Sequence, residues 1–385
     1  MLPKGYLFSG LFCGIKQSKK KDIGLLVSEK PCSWAGVFTT NTVKAHCVVD
    51  NQALLQENKP INCLVVNSGN ANACTGEAGW NELVKVKKAI ALGLNINENA
   101  ILTASTGVIG QTLPGDLILQ ALPQLNNNLS SNPEDFAEAI LTTDLVTKTA
   151  FKDLGEYSIF GVCKGSGMIH PNMATMLAFV ITDAKLSNQE LQEALQEANN
   201  KSFNQITVDG DTSTNDMVLL LANGESGKEP NKEAFQKALT EICQDLAKQI
   251  VADGEGANRV FQIKVYGGSS DEECRIMARG IASSMLVKSA IFGADPNWGR
   301  IVAAAGQYGQ VDADKVSLKI FDTWLIRSGT VCEFNKKELS SQIAASKEVF
   351  AELYINEKLH LPTEGIAWGC DLSYDYVRIN SEYTT

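Results

Sequence analysis

The sequence has few of the residues that build metal sites and disulfide frameworks. It contains only three histidines, His46, His170 and His360, and they lie far apart in the chain. Its ten cysteines occur singly, with no Cys-x-x-Cys spacing. Zinc sites and small disulfide scaffolds both depend on closely spaced ligands or cysteine pairs. We therefore expect no structural metal, and free cysteines of the kind found in a reducing cytoplasm.

Long apolar runs are also missing. No stretch approaches the roughly 20 apolar residues that a membrane-spanning helix needs. The basic cluster Lys19–Lys21 follows the first apolar stretch, whereas a secretory signal begins with its basic residues. With 34 Lys and Arg against 44 Asp and Glu, the net charge of -10 opposes binding to phosphates by charge alone. We expect a soluble, cytoplasmic protein that binds neither nucleic acid nor membrane.

Apolar residues make up 44% of the 385 residues, enough for one large or two ordinary globular domains. Three helices are predicted from local signals. A capping box at Ser187-x-x-Glu190 begins the first, an apolar stripe from about Lys232 to Ala252 forms the second, and Asn132-Pro133 begins the third.

Short apolar or β-branched runs predict strands between these helices. Strands and helices alternate without a regular β-α-β rhythm, which favours an α+β layered architecture over a doubly wound parallel sheet. The predicted strands are Cys63–Val66, Leu177–Thr182, Met217–Ala222, Phe261–Tyr266, Val316–Phe321 and Tyr376–Ile379.

One threonine, Thr175, stands where an irregular glycine-containing stretch meets the predicted strand Leu177–Thr182. A threonine hydroxyl is a weak nucleophile without an adjacent base, but its own α-amine, with a pKa of about 7.7 to 8.0, could serve if Thr175 became a chain terminus. An N-to-O acyl shift at the Ala174–Thr175 bond, followed by hydrolysis, would create that terminus. The alternative is an ordinary β-branched residue that begins a strand.

Other polar motifs are less specific. The segment Ser105–Gly110 is a glycine-containing turn of a kind that can present a backbone N–H and a hydroxyl together, as an oxyanion hole requires, although most such turns are only turns. Asp209–Asp216 fails as a calcium loop, because Thr214 occupies the glycine position, and a hydrogen-bonded turn is the better interpretation. Lys164-Gly-Ser-Gly is neither a P-loop nor a dinucleotide motif, and His170 before a proline is more typical of a loop than of a base.

Taken together, eight segments resemble one family, the ornithine acetyltransferases of arginine biosynthesis, also called bifunctional glutamate N-acetyltransferases. The segments follow one another in order along the whole chain, which makes the resemblance far more specific than any one motif. They are Gly36–Asn41, Asn67–Gly76, Ser105–Gly110, Lys164–Leu177, Val208–Asp216, Asp253–Ala257, Asp295–Arg300 and Ile379–Thr385.

The resemblance implies an α/β/β/α sandwich similar to N-terminal-nucleophile hydrolases. It also implies self-cleavage into residues 1–174 and 175–385, with two α and two β chains in a heterotetramer. Ala174 would precede the cut, Thr175 would be the nucleophile, and Thr106 with Gly107 would stabilise the oxyanion. The family positions that hold the amino-acid substrate correspond to Thr143, Lys164, Thr175, Glu255, Asn380 and Thr385.

The implied reaction is a ping-pong transfer of acetyl from N-acetylornithine to glutamate through acetyl-threonine. That cycle requires no cofactor, and the sequence leaves open whether acetyl-CoA also serves as a donor. One alternative is an amidohydrolase or aminopeptidase of the related self-processing fold, with water as the acceptor. A binding protein that keeps the fold without cleavage is the other, and an altered Ala174-Thr175 pair, absent here, would have favoured it.

Overall fold

The computed structural model describes residues 2–170, 176–356 and 363–382, and these contain eleven α-helices, fifteen strands and two short 3-10 helices, Glu98–Ala100 and Phe203–Gln205. The helices are α1 (His46–Glu57), α2 (Gly76–Leu94), α3 (Gly115–Asn127), α4 (Glu134–Ala139), α5 (Asn188–Asn200), α6 (Lys232–Ala252), α7 (Asp271–Ser283), α8 (Met285–Phe292), α9 (Trp298–Tyr308), α10 (Lys336–Ala345) and α11 (Tyr374–Glu382). The strands are β1 (Tyr6–Leu11), β2 (Ile23–Phe38), β3 (Ile61–Asn70), β4 (Ile101–Val108), β5 (Lys148–Asp153), β6 (Ser158–Lys164), β7 (Leu177–Thr182), β8 (Ile206–Thr207), β9 (Met217–Ala222), β10 (Val260–Tyr266), β11 (Ser317–Ile320), β12 (Thr323–Arg327), β13 (Thr330–Val331), β14 (Glu348–Tyr354) and β15 (Glu364–Cys370).

Most of the predicted elements are confirmed. The side chain of Ser187 accepts from the Glu190 N–H and the Glu190 carboxylate accepts from the Ser187 N–H, which is the predicted capping box of α5. The predicted bounds of α6, β7 and β9 agree with the structure. Helix α4 begins at Glu134, one residue later than predicted, with Pro133 as its N-cap.

The predicted strand Tyr376–Ile379 is wrong, because these residues belong to helix α11. The hydroxyl of Ser373 accepts from the N–H of Asp375 at 3.1 Å and of Tyr376 at 3.4 Å, so it caps the helix. None of the α11 residues is buried. A β-branched run predicts a strand only where a pleated, half-buried surface receives it, and this segment has none.

The first sheet has eight strands in the order β4-β3-β2-β9-β7-β6-β5, with β1 paired to β2. The long strand β2 joins its two halves. The early part of β2 pairs with β3 and its later part pairs with β9. Two pairs of neighbouring strands are parallel, β3 with β4 and β7 with β9. In each pair, the corresponding ends of the two strands therefore lie side by side.

The second sheet has seven strands in the order β13-β12-β11-β14-β10-β15-β8. Helices α7 to α10 pack their apolar residues against one side of it, in a core that includes Ile263, Leu353 and Ile281. Along β10, buried side chains alternate with partly exposed ones, and Phe261, Ile263 and Val265 are the buried set. That alternation is typical of a sheet with one face covered by helices.

Helices cover both faces of the first sheet. On one face α5 and α6 pack over Ala178 and Val180, in a core that continues to Trp368 of the second sheet. On the other face α1 and α4 pack over Phe179 and Leu219. The predicted α+β class with two sheets in a layered arrangement is thus confirmed.

The cysteines are unpaired, as the sequence analysis expected. All ten cysteines are free, and seven of them are buried. Burial raises the pKa of the Cys47 thiol to about 11, so it packs as an un-ionised apolar group. Within the described ranges, none of the helices is both long and apolar enough to cross a membrane.

Candidate active site

A pocket of about 170 Å³ opens where several strands of the first sheet begin or end. Within the described chain it gathers six of the predicted site residues, which come from five separate segments: Thr106, Gly107, Thr143, Lys164, Glu255 and Asn380. The predicted cleavage residues Ala174 and Thr175, and the predicted substrate residue Thr385, lie outside the described residues. Met176 and Leu177, which directly follow Thr175 in the sequence, also line the pocket.

Strand register explains why these segments meet. In the antiparallel pair β6–β7, the last residue of β6, Lys164, lies opposite Leu177. In the parallel pair β7–β9, Leu177 lies opposite Met217. The end of β6 and the starts of β7 and β9 therefore lie side by side, and the Met217 N–H donates to the Met176 carbonyl at 3.0 Å.

The predicted oxyanion residues form the last part of β4. Gly107 has a φ of +131°, and an added Cβ would lie 2.3 Å from the carbonyl carbon of Gly69. Only glycine fits there, because any side chain would collide with the backbone of β3. The turn next to Thr106 is further held by Asn215, whose amide donates to the carbonyls of Ser105 and Ala71, both at 2.7 Å.

Lys164 and Thr106 are in direct contact. The ammonium of Lys164 donates to the hydroxyl oxygen of Thr106 at 3.2 Å, and both residues are at most 9% exposed. Since the hydroxyl accepts this bond, its own hydrogen is left to donate elsewhere. A cation, a hydroxyl and a backbone turn at one point can together stabilise a developing negative charge.

On the other side of the pocket, Glu255 and Asn380 form a polar pair. The Asn380 amide donates to a carboxylate oxygen of Glu255 at 2.9 Å and to the carbonyl of Tyr376 at 3.0 Å. Glu255 approaches so closely that a Cβ on Gly167 would lie 2.4 Å from its carboxylate. A carboxylate held in this way can bind an ammonium group of a ligand.

The segment Ser213–Asp216, which also lines the pocket, was missed by the sequence analysis as a functional element. The predicted turn is present at its first residue, where the Asp209 carboxylate accepts from the N–H of Asp211 at 3.2 Å and also from the N–H groups of Met168 and Ile169. The later residues, Ser213–Asp216, also form part of the pocket wall. In the sequence, their functional role was indicated only by the resemblance of Val208–Asp216 to the family.

Asp216 has an unusual environment. It is 3% exposed, and its Oδ2 atom has no hydrogen-bond partner among the described residues. Burial raises the pKa of this carboxyl well above its usual range, although Lys164 and Ser213 act in the opposite direction. Such an environment favours the protonated form of the carboxyl, which can donate a hydrogen bond.

His170 does not line the pocket. Its Nδ1 lies 3.1 Å from the Thr207 hydroxyl, and burial, assisted by Arg279, lowers its pKa to about 4. It is therefore neutral near pH 7. Across residues 2–170, 176–356 and 363–382, no three His, Cys, Asp or Glu side chains gather in a way that could hold a metal ion.

Comparison with known proteins identifies relatives over the whole chain. The model of the ArgJ family matches residues 7–385. The arginine biosynthesis bifunctional protein ArgJ of Synechocystis sp. is 46% identical over 400 residues, covering 100% of this chain and 97% of that protein. The ArgJ protein of Bacillus thuringiensis subsp. konkukian is 42% identical over 396 residues, covering 100% and 96%.

A solved structure is similar as well. The crystal structure of the arginine biosynthesis bifunctional protein ArgJ from Bacillus halodurans is 40% identical, with a TM-score of 0.50. The match covers 52% of this chain and 96% of the solved chain. The predicted family is therefore confirmed by sequence and structure together.

Proposed function

Since this chain belongs to the ArgJ family, we propose that it is an acetyltransferase of arginine biosynthesis that moves acetyl from N-acetylornithine to glutamate through an acetyl-threonine at Thr175. The single observation that carries the proposal is the convergence of Thr106, Gly107, Lys164 and the Glu255–Asn380 pair on one pocket. That pocket also contains Met176 and Leu177, the residues that follow Thr175.

The chemistry follows from the side chains. The Thr175 hydroxyl attacks the acetyl carbonyl of N-acetylornithine, and the Thr175 α-amine accepts the hydroxyl proton and passes it to the departing ornithine amine. The Thr106 hydroxyl and the Gly107 N–H stabilise the oxyanion. The glutamate amine then attacks the acetyl-threonine ester, and N-acetylglutamate leaves with the hydroxyl restored.

The polar side chains around Thr175 would bind the amino-acid substrates. Glu255 pairs with a substrate ammonium, and Asn380 holds the Glu255 carboxylate in place. Lys164 supplies positive charge for a substrate carboxylate or for the reacting carbonyl. Thr143 and Thr385 complete the set of hydrogen-bonding groups, as the family resemblance implies.

Self-cleavage between Ala174 and Thr175 is part of the proposal, because the free α-amine of Thr175 is the base. The products would be residues 1–174 and 175–385. The Bacillus halodurans structure supports this division, since 52% of this chain matches 96% of that one, so the solved chain is about half as long. A cut after residue 174 likewise divides this chain near its middle.

The proposal also covers assembly and cofactors. Two α and two β chains would form a heterotetramer, active in the cytoplasm on small amino-acid substrates. The acetyl group passes from one amine to another without a change of oxidation state, so no redox cofactor is required, and the proposed cycle takes its base from the Thr175 α-amine and its oxyanion donors from Thr106 and Gly107. Acetyl-CoA is a further donor to be tested by adding it in place of N-acetylornithine.

The deciding experiment is incubation of the purified protein with N-acetylornithine, with and without glutamate. We expect a burst of ornithine stoichiometric with enzyme in the absence of glutamate, a gain of one acetyl mass on the chain beginning at Thr175, and steady turnover when glutamate is added. Steady ornithine release without glutamate would instead identify a hydrolase of the related fold.

A further inference from the structure

A cluster of three charged side chains lies buried behind the pocket. The ammonium of Lys148 donates to Asp144 at 2.7 Å and to Asp253 at 2.6 Å. The Lys148 and Asp144 side chains are 0% exposed, and that of Asp253 is 6% exposed. Asp253 is 105 residues from Lys148 in the sequence, so the cluster joins distant segments.

Asp144 connects this cluster to two pocket segments. Its Oδ2 accepts from the N–H of Thr142 at 2.9 Å, which fixes the turn that contains Thr143. Its Oδ1 accepts from the N–H of Gly165 at 2.7 Å, directly after Lys164. One carboxylate therefore holds the backbone next to two predicted substrate residues, Thr143 and Lys164.

Asp253 connects the same cluster to the third pocket segment. Its carboxylate accepts from the N–H of Leu145 at 3.0 Å, and its carbonyl accepts from the Ser166 hydroxyl at 2.6 Å. Two residues later, the N–H of Glu255 donates to the Ser166 carbonyl at 3.0 Å. The positions of Thr143, Lys164 and Glu255 thus depend on one set of bonds.

The charges in this region are balanced. Burial would raise the pKa of Asp144, but Lys164 and Lys148 outweigh it, so the net effect lowers the pKa and the carboxyl stays ionised. Burial would lower the pKa of Lys148, but Asp144 and Asp253 outweigh it and raise the pKa. Two carboxylates and two ammonium groups, Lys148 and Lys164, therefore compensate one another without solvent.

We propose that Lys148 is a positioning residue, which joins Asp144 to Asp253 and thereby sets the spacing of Thr143, Lys164 and Glu255 in the substrate pocket. The inference rests on the proposed function, since it takes these three residues to bind substrate. A purely stabilising role is a weak explanation for such a cluster, because buried ion pairs can often be replaced by apolar residues without loss of stability. The bonds to the N–H groups of Thr142, Leu145 and Gly165 have a defined direction, which apolar packing does not supply.

The test compares two buried lysines that differ in location. Lys148→Met removes the ammonium from the cluster. Lys87→Met is the matched control, because Lys87 is also buried and pairs with the partly buried Asp50 at 2.7 Å, and neither Lys87 nor Asp50 lines the pocket. Thermal unfolding measures the stability of each full-length variant. Calorimetric titration with L-ornithine measures binding without requiring turnover or cleavage.

We expect both variants to unfold at a lower temperature than the wild type. Only Lys148→Met should also bind L-ornithine more weakly, by about 10- to 100-fold, because a displacement of about 1 Å in binding groups is sufficient for losses of that size. Lys87→Met should stay within about twofold of the wild type. In turnover assays, the Lys148→Met defect should lie mainly in KM for both amino acids.

Asp253→Asn provides a second route if Lys148→Met does not fold. The amide occupies the same space and keeps an oxygen for the Leu145 N–H, while the charge that pairs with Lys148 is lost. It should show the same selective loss of L-ornithine binding.

The possible results separate the two proposals. A folded Lys148→Met or Asp253→Asn protein with wild-type affinity for L-ornithine overturns the positioning role. A wild-type protein that binds L-ornithine but releases none from N-acetylornithine contradicts the proposed function, while the binding comparison still decides the inference. A wild-type protein that binds no L-ornithine overturns both.

Discussion

The ammonium of Lys164 lies 3.2 Å from the hydroxyl oxygen of Thr106, to which it donates a hydrogen bond. The two residues are 58 positions apart and belong to strands β6 and β4 at opposite sides of the first sheet. Their contact orients the Thr106 hydroxyl, because the oxygen faces the cation and the hydrogen points away from it. Such a hydroxyl is prepared to donate to an oxyanion before substrate arrives.

This geometry predicts the effect of Thr106→Ala. Loss of one oxyanion donor should lower kcat by roughly 10² to 10³, with a much smaller change in KM, because the donor acts mainly in the transition state. Steady-state kinetics with N-acetylornithine and glutamate measure both constants. Thr106→Ser retains a hydroxyl and serves as the control. Unchanged turnover in Thr106→Ala would remove this residue from the site.

The proposed cleavage predicts two bands on a denaturing gel. Residues 1–174 and 175–385 should migrate at about 19 and 23 kDa, in proportion to their lengths. Thr175→Ala should remain a single chain and show no transferase activity, because cleavage and acetyl transfer both use the Thr175 hydroxyl. A wild-type protein that is fully active as one uncut chain would refute the role of the terminal amine.

Much of the fold was predictable because its signals are local. The capping box of α5 and the apolar stripe of α6 involve neighbours in sequence, and the start of α5 and both bounds of α6 were predicted correctly. The segment at Tyr374–Glu382 was not, because a β-branched run has the same local pattern whether or not a sheet receives it. Its helical state is explained by the Ser373 cap, and none of the described strands pairs with it.

The candidate site likewise contains some residues that were predictable from the sequence and others that were not. The pocket contains Thr106, Lys164 and Glu255, which the family resemblance had identified. The carboxyl of Asp216 and the Asp144–Lys148–Asp253 cluster were not foreseen, because their significance depends on burial and on contacts across 100 or more residues. An isolated Asp or Lys in a sequence is far more often a solvated surface residue.

The tail helix α11 gives a prediction about substrate affinity. Asn380→Ala removes the amide that holds the Glu255 carboxylate and that, as the family resemblance implies, also binds substrate. Loss of one hydrogen bond to a charged group of the substrate costs about 1.5 to 3 kcal/mol, so KM should rise about tenfold or more. Self-cleavage should be unaffected, because it requires only the residues around Thr175. Kinetics and a denaturing gel measure the two effects.

The matched control is Arg378→Ala. Arg378 lies on the same exposed helix and forms a surface ion pair with Asp375, so KM should stay near the wild-type value. Deletion of residues 380–385 should resemble Asn380→Ala or be more severe. A deletion variant that is cut normally and keeps wild-type KM for both substrates would exclude Asn380 and Thr385 from the site.

Asp216 leads to a prediction about stability and pH. Because burial raises its pKa in the folded protein, the folded state keeps a proton that the unfolded chain loses above about pH 4. The contribution of Asp216 to the free energy of unfolding is therefore greatest at low pH and falls as the pH rises towards the folded pKa. Asparagine does not titrate, so Asp216→Asn should gain stability relative to the wild type as the pH is raised from the unfolded-state pKa, about 4, towards the higher folded-state pKa. Thermal unfolding of both proteins across that range measures the difference, with Asp211→Asn, an exposed position in the same turn, as the control. A stability difference that stays constant or reverses as the pH rises would show that Asp216 is ionised in the folded protein.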